Sequence, residues 1–325
     1  MKQTLLFLLL LCGSLVSTTW AQATAAFQAA GNSAAAGDAI PSNDESVTTI
    51  RASVREVNVI FTATDNKGHF RKDLKQSDFA VFDDGKPPVS VSSFSSQTDL
   101  PLRVGLVLDV SGSITDRFTF EQESAIRFFR QILRPQKDQA FVLAFDSVQR
   151  MTQDFTDNSD LLAKGVTDLA PGGGTAVFDA LYTASTQKLM KVHADRPVRR
   201  VIILISDGED NQSRVTRAEA IEAAKRAEVT IYAISTNTSN TRSRGDKVLQ
   251  RLADETGGRV FFPNKLEDVV HAFNLIQDEL RSQYALSYKP ADFSPDGRYR
   301  RIDIQARDMK NVFIRARKGY FAPNQ

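Results

Sequence analysis

The feature of this sequence that most limits its fold is an alternation of short, wholly apolar runs with amphipathic helical segments, which begins at Leu102. Wholly apolar runs are typical of parallel strands buried on both faces, and the helices between them supply the crossover connections. The predicted strands are 103–108, 140–145, 201–205, 229–235 and 259–262, with a shorter one at 149–152, and the predicted helices are 117–133, 159–169, 177–191, 217–227, 246–256 and 266–283. Residues 101–283 are therefore predicted to form an α/β domain, a doubly wound and mostly parallel sheet flanked by helices.

Both flanks of this domain are rich in predicted strands. In residues 47–100, the strand-like runs 57–64 and 79–82 are followed by the turn sequences Asp65-Asn66-Lys67-Gly68 and Asp83-Asp84-Gly85, and residues 89–94 alternate once more. In residues 284–325, strands are predicted at 284–288, 299–306 and 311–316. Neither flank is large enough for a stable core of its own. We therefore predict that the two flanks pack together into one small β-rich module.

The first residues are typical of a secretory signal peptide. Lys2 precedes an uninterrupted apolar run at 5–11, and small residues follow as far as Ala21-Gln22-Ala23. We predict a cleaved signal peptide over residues 1–23 and a flexible linker, rich in Ala, Ser, Gly and Asn, over residues 24–46. An uncleaved anchor is less favoured because a spanning helix needs about 20 apolar residues. A lipoprotein at Cys12 is less favoured because leucines precede this cysteine where small residues are expected.

The predicted location is therefore secreted or periplasmic, with no stable membrane span after cleavage of the signal. Cys12 is the only cysteine in the sequence, so the mature chain would form no disulfide and would depend on core burial, and on any bound metal, for its stability. The 41 Lys and Arg residues nearly balance the 39 Asp and Glu residues. This balance gives no indication of nucleic-acid binding.

Oxygen-bearing side chains follow one predicted strand at alternate positions. The apolar run Val104-Gly105-Leu106-Val107-Leu108 ends in Asp109-Val110-Ser111-Gly112-Ser113, and alternate residues of an extended segment point the same way. Just past the carboxyl end of a central parallel strand, these side chains would line the crevice where open α/β sheets bind ligands. One carboxylate and two hydroxyls suit a hard cation such as Mg²⁺.

Two further segments supply candidate ligands. Pro171-Gly172-Gly173-Gly174-Thr175 is a glycine-rich loop that offers a hydroxyl immediately before a predicted helix, and Ile203-Leu204-Ile205-Ser206-Asp207 is an apolar strand that ends in a carboxylate. Each segment alone is a common loop feature. The three segments in this order, two of them at strand ends, predict a metal site formed by Asp109, Ser111, Ser113, Thr175 and Asp207.

This pattern resembles the metal-ion-dependent adhesion site (MIDAS) of von Willebrand factor A (VWFA) domains, which consists of Asp-x-Ser-x-Ser, a loop Thr and an Asp after a later strand. The resemblance covers about residues 102–283. It implies that Ser111, Ser113 and Thr175 are direct ligands, whereas Asp109 and Asp207 act mostly through water or by hydrogen bonding. The flanking sequences at 78–85 and 315–320 resemble a bacterial group of secreted VWFA-related proteins.

The resemblance implies a protein-binding module of the adhesion type. In such a module Mg²⁺, or alternatively Mn²⁺ or Ca²⁺, keeps one coordination position open, and an Asp or Glu carboxylate of a protein partner fills that position. The alternative is a structural or assembly component of an envelope complex, in which the metal only stabilises the fold. A metal-assisted hydrolase is less favoured because a site with two carboxylates, mainly in water-mediated roles, is better suited to binding a carboxylate than to activating water.

The sequence predicts no catalytic and no cofactor-binding residues. His69 follows a turn glycine, His193 lies in a polar loop and His271 lies off the apolar face of its helix, so none is placed like a catalytic base. Neither a Gly-x-Ser-x-Gly elbow nor a Gly-Lys-Ser/Thr phosphate loop is present. The acidic residues Asp154, Asp157, Asp160, Glu209 and Asp210 are interpreted as solvated charges or helix caps. We therefore expect that the protein is not an enzyme.

The signal peptide gives the first testable prediction. We expect the exported protein to begin after Ala21 or Ala23, because small residues at these positions follow the apolar run. Intact-mass spectrometry of the exported protein measures this directly. A mature chain that retains Cys12 and Trp20 would contradict the predicted cleavage, and a lipid adduct on Cys12 would show a lipoprotein instead.

Overall fold

The structure, a computed structural model, describes residues 56–96, 100–112, 118–192, 198–237, 239 and 241–324. These residues belong to one compact unit, Ser53–Gln325. The predicted signal peptide (1–23), the linker (24–46) and the start of the N-terminal flank (47–55) lie outside the described residues. Within the described ranges, no helix combines the length and the apolar character that crossing a membrane requires.

The secondary structure of the described residues alternates as the sequence predicts. In chain order, the strands are β1 (Val57–Thr64), β2 (Phe79–Asp83), β3 (Ser90–Ser96), β4 (Leu102–Asp109), β5 (Gln139–Phe145), β6 (Gln149–Thr156), β7 (Arg199–Ser206), β8 (Val229–Ser235), β9 (Val260–Phe261), β10 (Tyr284–Lys289), β11 (Tyr299–Ala306), β12 (Phe313–Ala316) and β13 (Gly319–Phe321). The α-helices are α1 (Phe118–Ile132), α2 (Ser159–Thr167), α3 (Val177–Thr183), α4 (Arg217–Arg226), α5 (Arg244–Thr256) and α6 (Leu266–Leu280). A short 3₁₀ helix (Gln76–Asp78) precedes β2, and a π-helical segment (Ala184–Leu189) follows α3.

A six-stranded sheet in the order β6-β5-β4-β7-β8-β9 forms the centre of the α/β domain. Its neighbouring strands are parallel, except that the edge strand β6 is antiparallel to β5. Strand β4 lies between β5 and β7, with Leu106 opposite Val142 on one side and Ile203 on the other. The strand order reverses direction at β4, as it does in doubly wound sheets. The predicted α/β fold is therefore confirmed.

Strand β4 contributes to two apolar layers because successive side chains of a strand point to opposite faces. Leu106 packs into the layer beneath α1, α2 and α6, together with Phe128 and Phe273. Val107 packs into the layer beneath α3, α4 and α5, together with Leu249. Each fully buried side chain of this size contributes about 1.5–3 kcal/mol. Burial on both faces explains why β4 carries no polar side chain from Val104 to Leu108.

Local sequence explains where the helices on one face begin and end. Helix α4 begins with a capping box in which the Thr216 hydroxyl accepts from the Glu219 N–H at 3.3 Å and the Glu219 carboxylate accepts from the Thr216 N–H at 2.7 Å. Helix α5 begins with the same arrangement between Ser243 and Asp246. It ends at Gly257, whose φ of 79° lies in the left-handed region that glycine adopts without strain.

The two flanks pair with each other in two antiparallel sheets, ordered β12-β1-β10-β3 and β13-β11-β2. Strand β1 from the N-terminal flank lies between β10 and β12 from the C-terminal flank, and β2 pairs with β11. The rings of Phe61, Phe79, Phe94 and Tyr284 form an aromatic centre, with contacting centroids between 4.9 and 5.7 Å apart. The predicted β-rich module built from both flanks is therefore confirmed.

Asp138 ties two helices to the start of the central sheet. This aspartate is fully buried, and its carboxylate accepts hydrogen bonds from Leu102 N–H at 2.8 Å, Arg134 Nε at 2.7 Å and Arg281 Nη2 at 3.1 Å. Burial raises the pKa of Asp138, but the hydrogen bonds from Arg134, Leu102 and Arg281 outweigh the burial and lower the pKa to about 2. The charged carboxylate therefore stabilises the junction between β4 and the ends of α1 and α6.

A few elements differ from the sequence prediction. The predicted helix 177–191 is α3 followed by the π-helical segment, a change of hydrogen-bonding pattern that helical periodicity does not reveal. Strand β6 extends to Thr156 because it pairs along β5 as the antiparallel edge, and β9 is shorter than the predicted 259–262. Strand β13 is absent from the prediction, since a three-residue strand carries too little periodicity.

The pairing of the flanks gives a testable prediction. A chain that ends at Gln283 lacks β10 to β13, which supply the hydrogen-bonding partners of β1, β2 and β3. We expect residues 56–96 of this shortened chain to be cleaved rapidly in limited proteolysis, with the sites identified by mass spectrometry, and the full chain to resist cleavage there. Equal resistance of this range in the two chains would show that the N-terminal flank folds independently.

Candidate metal site

The carboxyl ends of β4 and β7 lie side by side at one edge of the central sheet, because the two strands are parallel neighbours and Leu108 pairs with Ile205. Asp109 is the last residue of β4, and Ser206 is the last residue of β7. Both residues are 0% exposed. A buried carboxylate and a buried hydroxyl therefore meet at the edge where open α/β sheets bind ligands.

Both carboxylate oxygens of Asp109 accept hydrogen bonds. Oδ1 accepts from the Ser111 N–H at 2.9 Å, and Oδ2 accepts from the Ser206 hydroxyl at 2.6 Å. The Ser206 hydroxyl oxygen also accepts from the Gly208 N–H at 3.0 Å. Ser206 therefore joins the end of β4 to the loop that follows β7. Asp207 lies in this loop, between Ser206 and Gly208.

The electrostatic environment disfavours a charged Asp109. Burial raises the pKa of Asp109, and the nearby negative charge of Asp207 raises it further. Hydrogen bonds from Ser206 and Ser111 lower the pKa but do not offset the burial. Asp207 is partly exposed, and its Oδ1 accepts from the Glu209 N–H at 3.0 Å. Two carboxylates this close are stabilised in their charged form by a neighbouring positive charge, such as a cation.

The loop that carries Thr175 is held against the loop after β4. The Gly172 N–H donates to the Val110 carbonyl at 2.6 Å, and the Gly112 N–H donates to the Gly173 carbonyl at 3.5 Å. Gly173 has a φ of +83°, and a Cβ built there would lie 3.1 Å from the Cβ of Asp146. Backbone strain and close packing therefore both favour glycine at this position.

A second set of hydrogen bonds fixes Thr175 from the side of β7. The Thr175 N–H donates to Asn211 Oδ1 at 3.0 Å, and the Thr175 carbonyl accepts from the N–H groups of Asn211 and Gln212, each at 3.0 Å. Thr175 is only 6% exposed. The loop after β7 thus holds Thr175 through its backbone, which leaves the position of the residue independent of its hydroxyl.

The structure brings together the predicted site residues that it describes. Asp109 and Ser111 are buried at the end of β4, Thr175 is buried in the loop joined to it, and Asp207 follows β7 beside Ser206. Ser113, the remaining predicted ligand, lies outside the described residues.

The sequence prediction omitted two residues that organise this site. Ser206 carries a signal in the sequence, because it is a polar residue that closes an otherwise apolar strand immediately before Asp207. Asn211 carries no such signal, because its contact with Thr175 depends on how the loop after β7 folds back.

Other acidic residues make local contacts. Glu209 accepts from the Gly245 N–H at 3.1 Å, and Asp210 accepts from the Ser213 hydroxyl at 2.6 Å. Asp154 pairs with Lys188, Asp157 accepts from the Gln136 N–H, and Asp160 pairs with Arg130. Neither described histidine joins the site: His69 is exposed and contacts Asp65, and His271 is exposed on α6. His193 lies outside the described residues.

The von Willebrand factor type A domain family matches residues 104–275 of the sequence. The chain belongs to this family. The match begins in β4 and extends into α6, so it includes the loops that carry Asp109, Thr175 and Asp207. No curated protein matches the chain.

Several solved structures are similar to this chain at low sequence identity. The von Willebrand factor type A protein from Catenulispora acidiphila is 13% identical with a TM-score of 0.50, and the alignment covers 83% of this chain and 74% of that chain. The PilB minor pilin from Streptococcus sanguinis is 15% identical with a TM-score of 0.46, covering 57% of this chain and 62% of that chain. Proximal thread matrix protein 1 from the mussel byssus, with a zinc occupied MIDAS motif, is 17% identical with a TM-score of 0.47, covering 57% and 49%.

The donor chemistry of the site fits a hard divalent cation. Its candidate ligands are carboxylate and hydroxyl oxygens, which Mg²⁺, Mn²⁺ and Ca²⁺ prefer. Across the part of the chain that the structure describes, no group of three or more His, Cys, Asp or Glu side chains is placed to hold a metal. A cation held by Asp109 and Asp207 would therefore also need hydroxyl and water oxygens.

Asp109 and Asp138 form a matched pair for a test, because both are fully buried and their pKa values are shifted in opposite directions. In EDTA at neutral pH, we expect Asp109→Asn to raise Tm, since it removes a charge that burial disfavours. We expect Asp138→Asn to lower the free energy of unfolding by about 3–5 kcal/mol, since it breaks a buried ion pair. Thermal unfolding followed by circular dichroism measures both effects.

The pKa shifts of Asp109 and Asp138 also determine how the stability of the metal-free fold depends on pH. Asp109 has a folded pKa above 3.8, so its ionisation destabilises the metal-free fold at neutral pH. This cost declines as the pH falls through the folded pKa and is absent below pH 3.8. Asp138 has a folded pKa of about 2, so its contribution is present above pH 3.8 and is lost as the pH falls through about 2. Shifts of Tm in the same direction for the two variants would contradict these opposite roles.

Proposed function

We propose that this protein is a divalent-cation-dependent protein-binding module of the adhesion type. The observation that carries the proposal is the buried carboxylate of Asp109 at the meeting point of three loops, with the carboxylate of Asp207 beside it. A cation bound there would balance both negative charges. The proposed metal site consists of Asp109, Ser111, Ser113, Thr175 and Asp207, and the proposed cation is Mg²⁺, with Mn²⁺ or Ca²⁺ as alternatives.

The contacts of each residue support different roles. Both oxygens of Asp109 already accept hydrogen bonds from the protein, which suits an aspartate that acts through water and orients Ser111. Asp207 is partly exposed and suits a similar water-mediated role at the rim. The hydroxyls of Ser111, Ser113 and Thr175 are the proposed direct ligands. Neutral ligands leave the cation strongly electrophilic, because they do not neutralise its charge.

An electrophilic cation with an open coordination position favours an anionic ligand. The proposed partner is a protein that presents an Asp or Glu carboxylate, which would complete the coordination and make recognition depend on the metal. We also propose that the protein is not an enzyme. The two histidines in the described part of the chain are exposed and lie outside the site, so neither supplies a general base there.

A second candidate function is a structural or assembly component of an envelope complex, in which the metal only stabilises the fold. The paired flanks favour this alternative, because β1 hydrogen-bonds to both β10 and β12 and thus joins the N- and C-terminal flanks in one module. Removal of the metal with a chelator distinguishes the two proposed functions. If EDTA lowers Tm but leaves every partner retained in a pull-down from native envelope extract, the adhesion function is wrong.

Thr175 gives the most specific test of the proposed site. The backbone of Thr175 holds the loop in place, so Thr175→Ala should leave the fold intact while removing one oxygen ligand. We expect Mg²⁺ affinity, measured by isothermal titration calorimetry, to fall by about tenfold to a hundredfold, which corresponds to about 1–3 kcal/mol. Retention of the partner in the pull-down should fall with it.

The matched control is Thr186→Ala. The Thr186 hydroxyl donates to the Tyr182 carbonyl at 2.8 Å within its own helical segment, so this variant also loses a threonine hydroxyl but not one at the site. We expect its Mg²⁺ affinity to equal that of the wild type. Unchanged Mg²⁺ affinity in Thr175→Ala would remove Thr175 from the metal site.

A further inference from the structure

Helix α3 begins shortly after Thr175 but does not supply its own N-terminal cap. Its N-cap residue is Ala176, whose methyl side chain cannot accept a hydrogen bond. The first N–H groups of an α-helix have no acceptor within the helix, so a polar side chain at the N-cap usually accepts from them. Side-chain acceptors for the start of α3 must therefore come from another part of the chain.

The loop after β7 supplies these acceptors. The Ser213 hydroxyl oxygen accepts from the Phe178 N–H at 3.0 Å and from the Asp179 N–H at 3.1 Å. Phe178 and Asp179 are the second and third residues of α3, the positions from which an N-cap hydroxyl ordinarily accepts. Ser213 thus takes the place of an N-cap residue, although it lies 34 residues after Asp179 in the sequence.

Asp210 holds the Ser213 side chain in this position. Its Oδ2 accepts from the Ser213 hydroxyl at 2.6 Å and from the Phe178 N–H at 3.2 Å, and its Oδ1 accepts from the Ser213 N–H at 3.2 Å. Because the Ser213 hydroxyl donates its proton to Asp210, its lone pairs remain for the N–H groups of α3. Both carboxylate oxygens of Asp210 are therefore engaged by groups of the protein.

Helix α3 in turn supplies an acceptor to the loop. The carboxylate oxygen Oδ1 of Asp179 accepts from the Arg214 N–H and from the Val215 N–H, each at 2.9 Å. In a capping box, the N-cap side chain accepts from the third residue of the helix, and the side chain of that third residue accepts from the N-cap backbone. A similar exchange here joins two segments that are distant in sequence. Asp179, Asp210 and Ser213 thus form a reciprocal cap.

The reciprocal cap joins the two segments that carry Thr175 and Asp207. Thr175 lies four residues before Asp179, and Asp207 lies three residues before Asp210. Between the cap and the metal site, the Thr175 carbonyl accepts from the Asn211 N–H at 3.0 Å. The positions of Thr175 and Asp207 are therefore linked through hydrogen bonds of the protein itself, without the help of a cation.

We propose that the three residues of the reciprocal cap are positioning residues of the metal site, which hold Thr175 and Asp207 as one unit at the separation that a cation requires. None of the three is a proposed ligand, so they act on the cation through Thr175 and Asp207. Ligands that are already held in place lose less conformational freedom when the cation binds, which raises its affinity. This inference rests on the proposed function, because it concerns ligands of the proposed metal site.

The test compares Ser213→Ala with Asn158→Ala in the full chain. Ser213→Ala removes an acceptor of two N–H groups at the start of α3. Asn158→Ala does the same at the start of α2, where the Asn158 side chain accepts from two N–H groups. Asn158 follows β6, whose Thr156 pairs with Ala140 near the start of β5. The α2 cap therefore lies at the edge of the sheet opposite the metal site, which makes Asn158→Ala a matched control.

We expect both variants to lower Tm, since each loses a helix cap. Only Ser213→Ala should also weaken Mg²⁺ binding in isothermal titration calorimetry, by about tenfold. In hydrogen-exchange mass spectrometry of the metal-free chains, Ser213→Ala should speed exchange in residues 175–179 and in residues 207–213 together. Wild-type Mg²⁺ affinity in Ser213→Ala, an equal loss of affinity in the two variants, or faster exchange in one segment alone would overturn the proposal.

Two substitutions of Asp179 distinguish positioning from a direct effect of its charge on the cation. The amide oxygen of Asp179→Asn can still accept from the Arg214 N–H and the Val215 N–H, whereas Asp179→Ala offers no acceptor. In chains that circular dichroism shows to be folded, we expect an Mg²⁺ affinity within about threefold of the wild type for Asp179→Asn and about tenfold weaker for Asp179→Ala. Equal losses would contradict the positioning role. A wild-type chain that binds no Mg²⁺ would instead overturn the proposed function itself.

Discussion

The structure depends on the burial of β4 between β5 and β7. Parallel pairing on both sides, with an apolar layer against each face, buries every residue of this strand except Arg103. The same pairing places the end of β4 beside the end of β7, so the position of Asp109 relative to Ser206 is set by the register of the sheet. The candidate metal site is thus anchored at the ends of two buried, paired strands, and Ser111, Thr175 and Asp207 lie on the loops that follow or adjoin them.

Two buried aspartates show how the fold uses charge at opposite edges of the sheet. Asp138 lies near the amino end of β4, and guanidinium groups from Arg134 and Arg281 compensate its charge within the chain. Asp109 lies at the carboxyl end of β4, and hydroxyl and N–H groups solvate its charge without neutralising it. Equal burial therefore serves different purposes: one carboxylate closes a structural junction, and the other leaves a negative charge that an external cation can balance.

Much of the fold follows from patterns that the sequence displays directly. The apolar runs of β4 and β7 predict buried parallel strands, and the alternation from Asp109 to Ser111 predicts that these side chains converge. Because neither flank is large enough to form a stable core by itself, the sequence also predicts that the two flanks pair. What the sequence does not display depends on tertiary contacts. Asn211 reaches Thr175 only after its loop folds back, and Arg281 reaches Asp138 only when the end of α6 packs beside the start of β4. The π-helical segment Ala184–Leu189 also escapes prediction, because the sequence period changes too little over six residues.

The position of β1 between β10 and β12 has a consequence for the order in which the chain acquires its structure. During synthesis or export from the N-terminus, residues 57–64 emerge long before their partners at 284–289 and 313–316. The α/β domain, whose strands and helices are near neighbours in sequence, can fold in the interval, whereas β1 must wait for the end of the chain. An unpaired, apolar β1 during that wait is a template for wrong pairing with other chains. A compartment that delivers the whole chain before folding begins, or a chaperone that covers β1, would shorten this exposure.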